Sequence, residues 1–79
     1  MLTPTEVEAR FAENGQLTVL SFTWQGRRLP VTSHGRQWEA PDGRRLLVMT
    51  PGERVFELVY DPALGAWHIA RAPEARGAA

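Results

Sequence analysis

After residue 15 the turn signals come so close together that the chain has room only for short strands joined by hairpins. Gln25-Gly26, Pro41-Asp42-Gly43, Pro51-Gly52-Glu53 and the run Asp61-Pro62-Ala63-Leu64-Gly65 put glycine, proline or aspartate where a reversing backbone needs them. The segments between them are rich in β-branched and aromatic residues, which favour a pleated, half-buried surface. A two-residue turn at Gln25-Gly26 sets Trp24 beside Arg27, Phe22 opposite Leu29 and Leu20 opposite Val31. Pro30 has no N–H to give a ladder, so the strand over residues 27–33 is expected at an edge or with a bulge.

His34-Gly35 reads as a break, followed by a short strand through Arg36, Trp38 and Ala40. A three-residue hairpin at Pro41-Asp42-Gly43, closed by glycine, pairs Ala40 with Arg44 and Trp38 with Leu46. The next turns pair Val48 with Phe56, Leu46 with Leu58, Tyr60 with Trp67 and Leu58 with Ile69. These registers place Trp38, Leu46, Val48, Phe56, Leu58, Tyr60, Trp67 and Ile69 on one face, the predicted core. A slip of one residue would scatter them. The opposite face carries Leu47, Met49, Val55 and Val59 among Arg45, Glu57 and His68. That face is too apolar for water alone. A curled barrel, a covering helix or a partner would each answer it.

Before the hairpins, residues 4–13 read as a short helix. Thr3 suits the cap, Pro4 the first helical position, and Glu6 completes a capping box. Val7 and Phe11 fall on one helical face, and Asn14-Gly15 supplies a stop. The expectation is therefore a mainly β domain over residues 1–72. It consists of an N-terminal helix and a six-stranded antiparallel meander, curled or barrel-like. Residues 73–79, without periodicity, are expected to be disordered.

The 79 residues allow one domain, and a core of that size supplies only about 3–5 kcal/mol. There is no cysteine, which excludes disulfides and thiolate metal sites. Nine basic residues balance nine acidic ones, so no global field steers nucleic acid or membrane. The first residues lack a signal-peptide pattern, and no apolar run is long enough to span a bilayer. The cytoplasm is the expected compartment, with no membrane contact.

Catalytic residue types are few. His68 lies near Glu57 and could form an acid–base pair, but a cross-strand polar pair is the simpler reading. His34 stands beside Gly35 in the expected break. Ser21 and Ser33 lack a nucleophile elbow, and Asp42 and Asp61 are turn residues. No catalytic residue, metal site or cofactor is expected.

The middle of the chain is the better candidate. Every basic residue is arginine, and residues 24–54 hold Arg27, Arg28, Arg36, Arg44, Arg45 and Arg54 against Glu39, Asp42 and Glu53. Trp24 lies with Arg27 and Arg28, and Trp38 lies between Arg36 and Arg44. Aromatic rings on a sheet with arginines beside them can stack bases and hold phosphates. Trp24, Arg27, Arg28, Arg36, Arg44 and Arg45 are therefore the candidate partner-binding residues. The competing reading makes the tryptophans core and Trp24 with Arg27 a surface cation–π pair.

Two stretches also carry a resemblance. One is Phe22-Thr23-Trp24-Gln25-Gly26-Arg27-Arg28. The other is Val55-Phe56-Glu57-Leu58-Val59-Tyr60-Asp61, closing with Gly65-Ala66-Trp67-His68-Ile69-Ala70-Arg71. Across residues 20–71 the chain resembles a small bacterial family of uncharacterised β domains, with the pattern F-x-W-x-G-R-R, a tryptophan strand, and E-L-x-x-D…G-x-W. Leu29 and Leu47 stand where that pattern has tyrosines. Similar domains occur at the C-terminus of Y-family polymerase-like proteins from mutagenesis operons. The resemblance implies an accessory module near DNA repair or translesion synthesis; the expectation of a non-enzymatic interaction module rests on the sparse catalytic residue types. The expected partner is a protein or a second copy of the chain in a homodimer, with weak nucleic-acid contact through the arginines.

Overall fold

The computed structural model describes residues 2–73. Beyond Pro73 itself, the tail expected to be disordered lies outside the described residues. Eight strands follow one another: β1 (Thr3–Thr5), β2 (Val7–Phe11), β3 (Leu17–Trp24), β4 (Arg27–Pro30), β5 (Ser33–Ala40), β6 (Gly43–Thr50), β7 (Arg54–Asp61) and β8 (Ala66–Arg71). They form two antiparallel sheets, a five-stranded one in the order β1-β8-β7-β6-β5 and a three-stranded one in the order β2-β3-β4. There is no helix and no closed barrel among the described residues, and so no helix long and apolar enough to cross a membrane.

The predicted helix over residues 4–13 is absent. Thr3 and Thr5 pair with Ile69 and Trp67 on the edge of β8, and Val7 to Phe11 pair along β3. A cap contributes about 1 kcal/mol, and an isolated helix this short is marginal in water. Backbone pairing to two different strands outweighs both. The segment also alternates along Glu6-Val7-Glu8-Ala9-Arg10, with Val7 and Ala9 more shielded than their neighbours. That is the period of a strand.

The single six-stranded meander is likewise corrected to two sheets. The chain changes sheet at Glu6, between β1 and β2, and again at Val31-Thr32, between β4 and β5. The second crossing is fixed on β6: Thr32 donates from its backbone N–H and its hydroxyl to the Met49 carbonyl, at 2.8 and 3.0 Å. Pro30 ends β4, an edge strand, where its missing N–H breaks no ladder.

The core lies between the sheets. Leu17, Val19, Phe22 and Leu29 from the small sheet meet Leu46, Val48, Phe56, Leu58 and Ile69 from the large one. Phe22 and Trp24 both set ring edges against Phe56, at centroid distances of 4.9 and 5.0 Å. The expected pairings Val48–Phe56, Leu46–Leu58, Leu58–Ile69 and Tyr60–Trp67 are present, as are Phe22–Leu29 and Trp24–Arg27. Tyr60 and Trp67 pack half-buried against the core.

Trp38 is the core residue that sequence reading misplaced. Ala40 pairs with Gly43, not Arg44, so the loop has two residues and Trp38 faces Arg45 instead of Leu46. Gly43 permits this register. Its φ is +139°, and a Cβ there would collide with the Tyr60 carbonyl oxygen of β7. Glycine serves here for close backbone approach, not to close a three-residue turn. Trp38 consequently lies on the opposite face from Trp67.

Two bulges change the phase of other strands. Glu8 pairs with Ser21 and Ala9 with Val19, leaving Leu20 as the extra residue. Leu20 turns outward, 36% exposed, away from the face expected to hold it with Phe22. In β5, His34 pairs with Val48 and Gln37 with Leu46, so the expected break at His34-Gly35 is a bulge within a strand.

That bulge aims two side chains at the small sheet. Beyond the reach of β4, the edge of β3 at Leu17 and Val19 has no strand beside it among the described residues. Gln37 Nε2 donates to the Leu17 carbonyl at 2.6 Å. His34 Nε2 lies 3.1 Å from the Val19 nitrogen and 3.0 Å from its carbonyl oxygen. The imidazole accepts from the N–H or donates to the C=O according to tautomer. Side chains of β5 thus satisfy backbone groups that a missing strand would have paired.

Candidate interaction surfaces

The outward face of the five-stranded sheet follows from the registers. One row runs Trp38, Arg45, Val59, His68 and Pro4; the next runs Leu47, Glu57 and Arg71; the last pairs Met49 with Val55. This is the apolar second face expected from the sequence. Its centre is covered within the chain, since Val59 is 1% exposed. Leu47, Met49 and Trp38 are half-buried, and Val55 is 45% exposed. Among the described residues no helix covers them.

Arg45 organises the middle of this face. It reaches Asp42 Oδ2 at 2.7 Å and Glu57 Oε2 at 2.5 Å. The hydrogen bond from Arg45 holds the Asp42 carboxyl below its ordinary range, and Asp42 and Glu57 together raise the guanidinium's pKa. The Asp42 pair is solvent-screened and adds little, while the Glu57 pair is more sheltered. Their larger effect is to fix the β5–β6 loop over the sheet. They also engage Glu57, and His68 stands opposite Val59, not Glu57, so the two do not form the cross-strand pair considered for them.

The six candidate binding residues do not gather into one patch. Arg44 and Arg45 are consecutive in β6 and face opposite sides of the sheet. Arg44 turns inward, donating to Glu39 Oε2 at 2.8 Å and to the Gly15 carbonyl at 2.6 Å. Arg36 stacks over Trp38, 5.0 Å from the ring centroid, on the outward face. Trp24, Arg27 and Arg28 belong to the small sheet. Arg27 is exposed beside the Gln25-Gly26 turn, and Arg28 donates to the Glu6 carbonyl at 3.2 Å. The cation over Trp24 is Arg54, at 5.4 Å, and not Arg27. Of the set, the structure joins Trp38's neighbours Arg36 and Arg45 on one face and Trp24 with Arg27 on another.

Sequence reading missed a second aromatic group. Phe11 of β2 meets Tyr60 of β7 edge-on at 5.5 Å, and Tyr60 meets Trp67 of β8 at 4.9 Å. The three rings sit at the end of the sandwich near the β7–β8 turn. A cleft of about 250 Å³ opens on the Phe11 side, lined by Tyr60, Pro62, Leu17 and Arg44. A wider one of about 710 Å³ opens on the Trp67 side, between Pro4, Glu6, Glu8, Arg28 and His68. It lies where β1 and β2 part to enter different sheets. The alternation of residues 6–10 is the sequence signal that would have brought Phe11 into a strand.

No family model, curated protein or solved structure matches this chain.

Proposed function

We propose that the chain is a non-enzymatic interaction module that docks on a partner protein through the outward face of its five-stranded sheet, as an accessory domain in DNA processing. The observation that supports this is the β5–β6 register. It puts Trp38, with Arg36 stacked on it, outside the core and on the same face as Leu47, Met49 and the exposed Val55. An aromatic anchor with an arginine beside it, next to aliphatic side chains, is the composition of an interface centre.

A protein partner is preferred to nucleic acid because Arg44 and Arg45 are already bonded to carboxylates and backbone. Nucleic-acid contact in this reading is weak and confined to Arg36, Arg27 and Arg28. The DNA-processing context rests on the resemblance at residues 22–28 and 55–71. Val55 supports a second reading, in which a second copy covers the same face.

The test uses wild type, Trp38→Ala and Val55→Glu. Each is titrated against a bacterial Y-family polymerase and against oligothymidylate, and each is sedimented across a range of concentrations. Polymerase binding that both substitutions abolish is the expected result. A concentration-dependent dimer that Val55→Glu dissolves selects the second reading. A wild-type protein that stays monomeric and binds neither ligand contradicts the proposal.

A further inference from the structure

We infer that the Phe11–Tyr60–Trp67 ladder is a second binding site, separate from the outward sheet face, and that it takes a proline-rich segment flanked by a basic residue. Phe11 is 59% exposed, a large apolar ring left in water at the tip of β2. It is held edge-on against Tyr60, which in turn contacts Trp67. The arrangement is a fixed ridge of rings with a cleft on either side.

The length of the ridge fits one ligand class. The outer rings are at most about 10 Å apart, from centroid steps of 5.5 and 4.9 Å. A polyproline II helix rises about 9 Å in one three-residue turn. One such turn therefore spans the ladder. Pyrrolidine rings pack on aromatic faces, and the segment is already extended before binding, which lowers the ordering cost.

The polar groups agree. A polyproline II backbone makes no internal hydrogen bonds, so its carbonyls need donors from the binding surface. Among the described residues the Tyr60 hydroxyl and the Trp67 indole N–H have no hydrogen-bond partner. No buried side-chain polar atom is left unsatisfied, so both groups reach solvent. They stand on adjacent strands directly opposite each other.

Charge sets the direction. The cleft beside Trp67 is lined by Glu6 and Glu8 against the single guanidinium of Arg28. Among the described residues neither glutamate is in an ion pair; Glu8 accepts from the Ser21 hydroxyl at 3.1 Å. The Phe11 side is neutral by comparison, since Glu39 is paired with Arg44. A basic residue at the Trp67 end of the segment meets the unpaired carboxylates.

The probe is a short polyproline peptide ending in arginine. A glycine-serine peptide of equal length and charge, and oligothymidylate, serve as competitors. Binding is followed by chemical-shift changes at the Trp67 indole N–H, which distinguishes that ring from Trp24 and Trp38. The expected result is saturable shifts at Trp67 and Tyr60 with the proline peptide alone. Phe11→Ala, exposed and so tolerated by the fold, should weaken binding about tenfold or more. Glu6→Gln with Glu8→Gln should remove the preference for the arginine-tagged peptide over an uncharged one. Absence of shifts at millimolar peptide overturns the inference. So do equal binding by Phe11→Ala and preferential binding of the glycine-serine peptide or of oligothymidylate at the ladder.

Discussion

Truncating Phe56 to alanine tests the packing between the sheets. Phe56 is fully buried, and two rings lean on it: Phe22 at 4.9 Å and 70°, and Trp24 at 5.0 Å and 77°. Both come from the small sheet, while Phe56 belongs to the large one. Removing the ring loses its transfer free energy and leaves a cavity that these neighbours fill only in part. The expected cost is about 3–5 kcal/mol. Each lost edge-to-face contact adds about 0.5–1.5 kcal/mol beyond area, although the terms overlap. A core in a chain of 79 residues supplies only about 3–5 kcal/mol in all. Phe56→Ala should therefore lower Tm by about 15 °C or more, or leave the chain unfolded at room temperature. Trp38→Ala, on the outward face and only half-buried, should cost clearly less than Phe56→Ala. Urea unfolding of both variants, followed by far-ultraviolet circular dichroism, gives the comparison. A Trp38→Ala cost equal to that of Phe56→Ala would refute the reasoning, because it would put Trp38 back between the sheets.

Three further outcomes follow from single contacts. Gly43→Ala should destabilise by about 1–3 kcal/mol or more, since φ is +139° and a Cβ would strike the Tyr60 carbonyl; thermal unfolding against Gly52→Ala, which meets no atom within 4 Å, isolates the collision. Gln37→Leu should leave the Leu17 carbonyl without its donor, cost about 1–3 kcal/mol, and loosen β3 against β5; faster amide exchange at Val19 than at Phe56 is the readout. The Asp42 carboxyl should titrate below the ordinary aspartate value because Arg45 bonds to its charged form. Its contribution to stability is present above that ordinary value and is lost as pH falls through the lowered one. Carbon-detected titration of Asp42 should show the midpoint returning to the ordinary value in Arg45→Met.

The part of the fold built on tight turns was legible residue by residue. From Leu46 to Ile69, turn chemistry and alternation agree, and each independent hairpin aimed the same side chains inward. Sequence reading failed where two local rules compete. Thr3-Pro4-Thr5-Glu6 satisfies a capping box, while Glu6 to Arg10 alternates as a strand; the decision came from the edges of β8 and β3, far along the chain. Pro41-Asp42-Gly43 fits both a two-residue and a three-residue loop, and the choice was made by the approach of Gly43 to β7. The bulge at Leu20 has no local signal, whereas Gly35 marked an interruption that is a bulge within the strand and not its end. The same limit applies to the arginines. Their clustering in sequence was plain, but Arg44 and Arg45 alternate across a sheet, and their partners Gly15 and Glu57 lie 29 and 12 residues away.

Both the corrected core and the proposed docking face depend on whether Trp38 stands opposite Arg45 or Leu46. Cross-strand nuclear Overhauser effects measure that directly. In the register described, the Trp38 backbone shows contacts to Arg45, and its ring shows contacts to the Arg36 side chain, with none to Leu58. Contacts from the Trp38 ring to Leu46 and Leu58 would place it in the core and contradict both the register and the docking face built on it.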